Sequence, residues 1–141
     1  MKNLKILVLL SLILALSACS SRNRSQPAAP DAKPDSLPDL VGKYAVNGFD
    51  PLGTEYGGHL TIFAGNSPGE YQMQWILVGS IQEGIGILKG NQLIVEWHSV
   101  EGMLETQGNA VYTVTEVGEL YGMKTVDGLK SEGAEIAFPN E

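Results

Sequence analysis

From Gly42 onward, apolar and polar side chains alternate with a period of two, and few stripes have helical spacing. Such alternation marks strands that cover a core with one face and meet water with the other. In Tyr71-Gln72-Met73-Gln74-Trp75-Ile76-Leu77, residues Tyr71, Met73, Trp75 and Leu77 share a face, with Gln72 and Gln74 opposite. Leu93, Val95 and Trp97 repeat the arrangement, so the two tryptophans are expected in one core. The pattern predicts eight strands, near 42–48, 57–64, 70–78, 80–88, 91–98, 109–115, 118–126 and 131–138. Turn residues separate them at Asp50-Pro51-Leu52-Gly53, Asn66-Ser67-Pro68-Gly69, Lys89-Gly90-Asn91, Gly108-Asn109 and Asp127-Gly128.

Short links favour antiparallel neighbours, because parallel strands need crossovers of about a dozen residues or more. The expected fold is all-β, an antiparallel meander that closes into a small eight-stranded up-and-down barrel, with a β-sandwich as the alternative. Glycines at 57, 58, 84, 86, 122 and 133 fall inside the expected strands, where they permit sharp coiling. A barrel of this size is filled by side chains or holds one small ligand. Trp75, Trp97, Tyr71, Tyr44 and Met73 are the candidates either to fill it or to contact that ligand.

The pattern changes abruptly before Gly42. Met1 to Lys5 carry two lysines, Ile6 to Leu16 are almost wholly apolar, and Ser17-Ala18 precede Cys19. This is the order of a secretory signal, and the apolar run is shorter than the about 20 residues that cross a bilayer. The boundaries expected are a signal over 1–18, Cys19 with a disordered tether over 19–40, and the β domain over 41–141. Four of the seven prolines lie in the tether, which has no apolar periodicity to offset its ordering entropy. Removing the signal takes two of nine cations, so the mature charge is 7 − 16 = −9. That balance argues against a nucleic-acid groove, which needs clustered cations.

Leu16-Ser17-Ala18-Cys19 resembles the lipobox of bacterial lipoproteins, in which the cysteine sulfur receives a diacylglycerol and then becomes the N-terminus. Cys19 is the only cysteine, so no disulfide competes for it. The resemblance implies a permanent membrane anchor through lipidated Cys19, and Ser20 in place of aspartate implies the outer membrane, on a face left open. Gly42-Lys43-Tyr44, Tyr56-Gly57-Gly58-His59-Leu60-Thr61-Ile62, Gly84-Ile85-Gly86, Gly90 to Trp97 and Gly118-Glu119-Leu120-Tyr121-Gly122 are similar to a group of small exported bacterial β repeats. Some members of that group carry a fibronectin-binding label. That similarity implies a surface adhesin for host matrix protein. Met123 stands where many members have tryptophan.

Catalytic chemistry is hard to write down. Two histidines, His59 and His98, with no cysteine beside them make no structural zinc site, and Glu96 with His98 reads as a solvated strand face. The spacing Gly-x-Ser-x-Gly occurs only in the turn segment Gly65-Asn66-Ser67-Pro68-Gly69, no Ser, His and Asp set is legible, and no phosphate-binding Gly-x-x-x-x-Gly-Lys is present. Glu101, Glu105, Glu116 and Glu119 read as an acidic surface. The expectation is a protein without catalysis, cofactor or metal: an envelope-anchored binding module and matrix adhesin. The alternatives are a periplasmic carrier of a small apolar ligand near Trp75 and Trp97, or a partner or inhibitor of another envelope protein.

Overall fold

The structure is a computed structural model, and it describes residues 25–102 and 106–140. The signal, the lipobox, Cys19, Ser20 and Glu105 lie outside the described residues. Eight strands form, β1 Gly42–Phe49, β2 Glu55–Ala64, β3 Glu70–Leu77, β4 Ser80–Lys89, β5 Gln92–Gly102, β6 Gln107–Val114, β7 Leu120–Lys124 and β8 Gly133–Pro139. Each pairs antiparallel with the next, and β8 pairs with β1, closing an up-and-down barrel. The fold is therefore the expected barrel and not the sandwich.

Alternation does what the sequence pattern requires. Met73 and Trp75 of β3 and Leu93, Val95 and Trp97 of β5 point into one core with Tyr44, Val46, Leu60, Ile62, Tyr112 and Leu120. Burying each large apolar side chain contributes about 1.5–3 kcal/mol. Interior glycines let strands approach. Gly122 has no room for a Cβ, which would collide with the backbone of Val111 and lie 2.9 Å from Cα of Tyr112. Gly84 likewise leaves space for the Trp75 ring, 3.3 Å from where its Cβ would sit.

One expectation fails. The described part of the tether, from Ser25 to Leu40, is not a free coil but is laid across one end of the barrel. Ala32 donates to the Val114 carbonyl at 2.8 Å, and Glu116 donates to that of Pro30 at 2.9 Å. Ala32 and Leu40 enter the core, and the Tyr44 hydroxyl donates to the Leu40 carbonyl at 2.8 Å. Asp31 accepts from the Tyr121 hydroxyl at 2.7 Å. Glu119, expected on an acidic surface, is buried, and its Oε2 accepts from the amides of Ala28 and Ala29 at 2.9 and 3.2 Å. The segment lacks periodicity because it adds no strand to the wall. It is held by backbone bonds and by a few apolar side chains placed far apart in sequence.

The barrel thus has two unlike ends. At the first, the segment from 25 to 40 packs beside the β4–β5 and β6–β7 turns, with Pro34 and Pro38 against Gly90 and Gly118. At the other, the β1–β2, β3–β4 and β7–β8 connections surround an opening.

Candidate functional site

Two charged residues occupy inward positions of neighbouring strands. In β7, Leu120, Gly122 and Lys124 alternate inward; in β8, Gly133, Glu135 and Ala137 do so. Lys124 Nζ lies 3.3 Å from Glu135 Oε2, with side-chain exposures of 7% and 0%. The Glu135 carboxylate is fully occupied. Its Oε1 accepts from Trp75 Nε1 at 2.9 Å and from the Tyr112 hydroxyl at 2.6 Å; its Oε2 accepts from the Tyr56 hydroxyl at 2.6 Å and from Lys124. A carboxylate has about four acceptor positions, so none is left for a further donor or a metal.

The electrostatics follow from this packing. Burial alone would raise the Glu135 carboxyl, but the Lys124 charge and the bonds from Tyr112, Tyr56 and Trp75 outweigh it and hold the acid below its usual range. Burial dominates at Lys124 and lowers its ammonium below the ordinary lysine value, with Glu135 opposing. The ammonium also sits 4.6 Å from the centroids of both Trp75 and Trp97, an attraction of the kind aromatic faces offer cations. It donates to Gln82 Oε1 at 2.7 Å. Burial, followed by the Glu135 charge, pushes the Tyr112 and Tyr56 hydroxyls well up, so both remain protonated donors.

Above this network the barrel opens. A cavity of about 740 Å³ is floored by Tyr56, Gln82, Trp97 and Lys124 and walled by apolar groups that include Phe49, Leu77 and Val126. At its rim Val78 in the β3–β4 turn is 87% exposed, beside the polar Asp50, Thr54 and Glu55 of the β1–β2 connection. Val100 and Leu129 also present exposed apolar side chains on this side. Trp97 is 4% exposed, yet its Nε1 is the one buried side-chain nitrogen or oxygen among the described residues without a hydrogen-bond partner.

The four aromatics singled out from the sequence do not form one site. Trp75 and Trp97 come together around Lys124, Trp75 beneath the cavity and Trp97 in its floor. Tyr44 and Tyr71 lie at the covered end, where they pack with the core. Burial and the nearby Asp39 push the Tyr44 hydroxyl up to about 12 and raise that of Tyr71. Glu96 and His98 are exposed on the outer wall, where they border a depression of about 660 Å³ that also includes Gln72, Gln74 and Glu83. His59 is exposed, and no group of three or more His, Cys, Asp or Glu side chains is arranged to hold a metal among the described residues.

Glu135, Lys124, Gln82 and Tyr56 were not singled out from the sequence. The signal was present in the period: a lysine and a glutamate on the core faces of adjacent strands are costly unless they meet. No protein-family model matches the chain, and no curated protein is similar to it.

Proposed function

We propose that the protein is a lipid-anchored, non-catalytic binding module that holds a small, predominantly apolar ligand at the open end of its barrel. The observation that carries this reading is the cavity of about 740 Å³, whose lining is in larger part apolar and includes a fixed polar network. Ligand sites are concave, mostly apolar and oriented by a few placed polar groups. Phe49 and Val78, exposed apolar side chains in the cavity lining, suit the entry of an apolar molecule. Glu135, with every acceptor position filled, stiffens the floor rather than reacting.

The lipobox supports an anchor at Cys19, and the covered end of the barrel then faces the bilayer. Eight residues lie between Cys19 and Ala28, where Glu119 fixes the chain, so that end stays within roughly 30 Å of the anchor and the mouth points away. Ser20 supports residence at the outer membrane. Matrix adhesion and inhibition of an envelope protein rest on resemblance and on charge alone, and no feature of the site favours them over the cavity.

The test uses purified protein carrying Cys19→Ala, stripped of ligand, and the neutral apolar dye N-phenyl-naphthylamine. We expect dye fluorescence to rise to saturation at one dye per chain and Val126→Glu, a change in the cavity wall, to reduce it. No saturable rise, or a rise unaffected by Val126→Glu in a variant that remains folded by circular dichroism, refutes the proposal.

A further inference from the structure

The chemistry of the cavity floor narrows the ligand. Resting on the reading above, we infer that the ligand is an uncharged molecule with an apolar body and a hydrogen-bond acceptor, such as a carbonyl oxygen, which lies against Trp97, Gln82 and Lys124.

Three observations converge. The first is an excess of donors. Trp97 lines the cavity and its buried Nε1 has no partner, a costly state for a donor. Gln82 Nε2 reaches Ser80 Oγ only at 3.4 Å, and its Oε1 is already taken by Lys124. The acceptors nearby are committed: Glu135 takes four bonds, and Gln82 Oε1 takes the short one from Lys124. A ligand with an acceptor supplies what Trp97, Gln82 and Lys124 lack.

The second observation is charge. Lys124 and Glu135 neutralise each other at 3.3 Å, so the floor has no spare positive charge for an anion. Asp50 and Glu55 line the cavity beside Lys124, which further disfavours an anion. A cation would be drawn to the rim but would meet the Lys124 ammonium at the bottom. A neutral ligand avoids both penalties.

The third is the lining itself, where the apolar Phe49, Leu77, Val78 and Val126 offer a surface to an apolar body beside the polar Gln82 and Lys124.

The experiment measures displacement of N-phenyl-naphthylamine by four compounds on related phenylalkyl frames: benzylacetone, a neutral ketone; butylbenzene, with no acceptor; phenylbutyrate, an anion; and phenylbutylamine, a cation at pH 7. We expect the ketone to bind best, and Trp97→Phe, which keeps an aromatic ring and deletes the donor, to weaken the ketone about three- to tenfold and much more than it weakens butylbenzene. The rank order on the unaltered protein needs no variant to fold. Equal binding of all four, or strongest binding of either ion, overturns the neutral-acceptor inference while the cavity remains a site. Failure of the dye itself to bind overturns the proposed function instead.

Discussion

Breaking the ion pair inside the barrel gives the sharpest energetic test. Glu135→Gln removes the negative charge and half of the acceptor capacity, leaving Lys124 buried over two indole rings with Gln82 as its one short acceptor. Removing one member of a buried pair costs about 3–5 kcal/mol, because the other charge stays behind without compensation. Lys124→Met leaves a fully buried carboxylate with three neutral donors and falls in the same range of about 3–5 kcal/mol. A domain of this size is stable by about 5–15 kcal/mol, so both variants fold but unfold at much lower urea. The double variant removes both charges together, and we expect its cost to fall below the sum of the single costs by about 1–3 kcal/mol. Urea unfolding followed by far-ultraviolet circular dichroism measures all four proteins, with unchanged slopes showing that the unfolding reaction is the same. Additivity within about 0.5 kcal/mol would refute the coupling, and with it the claim that the two groups neutralise each other.

Acid should destabilise the protein through the same carboxylate. The folded state holds Glu135 below its ordinary range, so its contribution is present above the unfolded value, near 4.5, and is lost as pH falls toward the lower folded one; Glu135→Gln should flatten urea midpoints measured between pH 6 and 3. Gly122→Ala should cost more than about 2 kcal/mol in thermal unfolding, since the added methyl meets strand backbone that cannot yield; a cost under about 0.5 kcal/mol would contradict the close approach. Glu119→Ala should free the segment from 25 to 32 and speed tryptic cleavage after Arg24, whereas an unaltered cleavage rate would show that the clasp on Ala28 and Ala29 is unimportant. Cys19→Ala should move the protein from the membrane fraction to the soluble one after cell lysis, and retention in the membrane would remove the anchor.

The wall of the barrel was legible because each strand carries its own instructions. Residues such as Met73 with Trp75, and Val95 with Trp97, alternate with polar neighbours, and a register slip of one would turn every such side chain to the wrong face. The segment from 25 to 40 was misread for the opposite reason. Its contacts join positions about 90 residues apart, as between Ala28 and Glu119, and nothing local distinguishes a proline-rich clasp from a proline-rich spacer. Glu119 was assigned to the surface because an acid in a turn usually lies there; its partners are backbone amides that no sequence pattern marks. Trp75 and Trp97 were placed correctly in the core. Their meeting around Lys124 depended on closure of the barrel, which brings β7 and β8 opposite β3 and β5. Tyr44 and Tyr71 share the inward period with them but lie at the other end, because alternation gives the face of a residue and not its height along the axis.

The chain has two tryptophans, and they differ in one respect that a nuclear magnetic resonance spectrum reads directly. Trp75 Nε1 is held by Glu135 at 2.9 Å, while Trp97 Nε1 has no partner. In a nitrogen-15 labelled sample titrated with benzylacetone, we expect the Trp97 indole resonance to move to saturation and that of Trp75 to move much less, with assignment from Trp97→Phe. A saturable shift confined to Trp75, or no shift of either indole while the ketone displaces the dye, would contradict a ligand seated on the floor of the barrel.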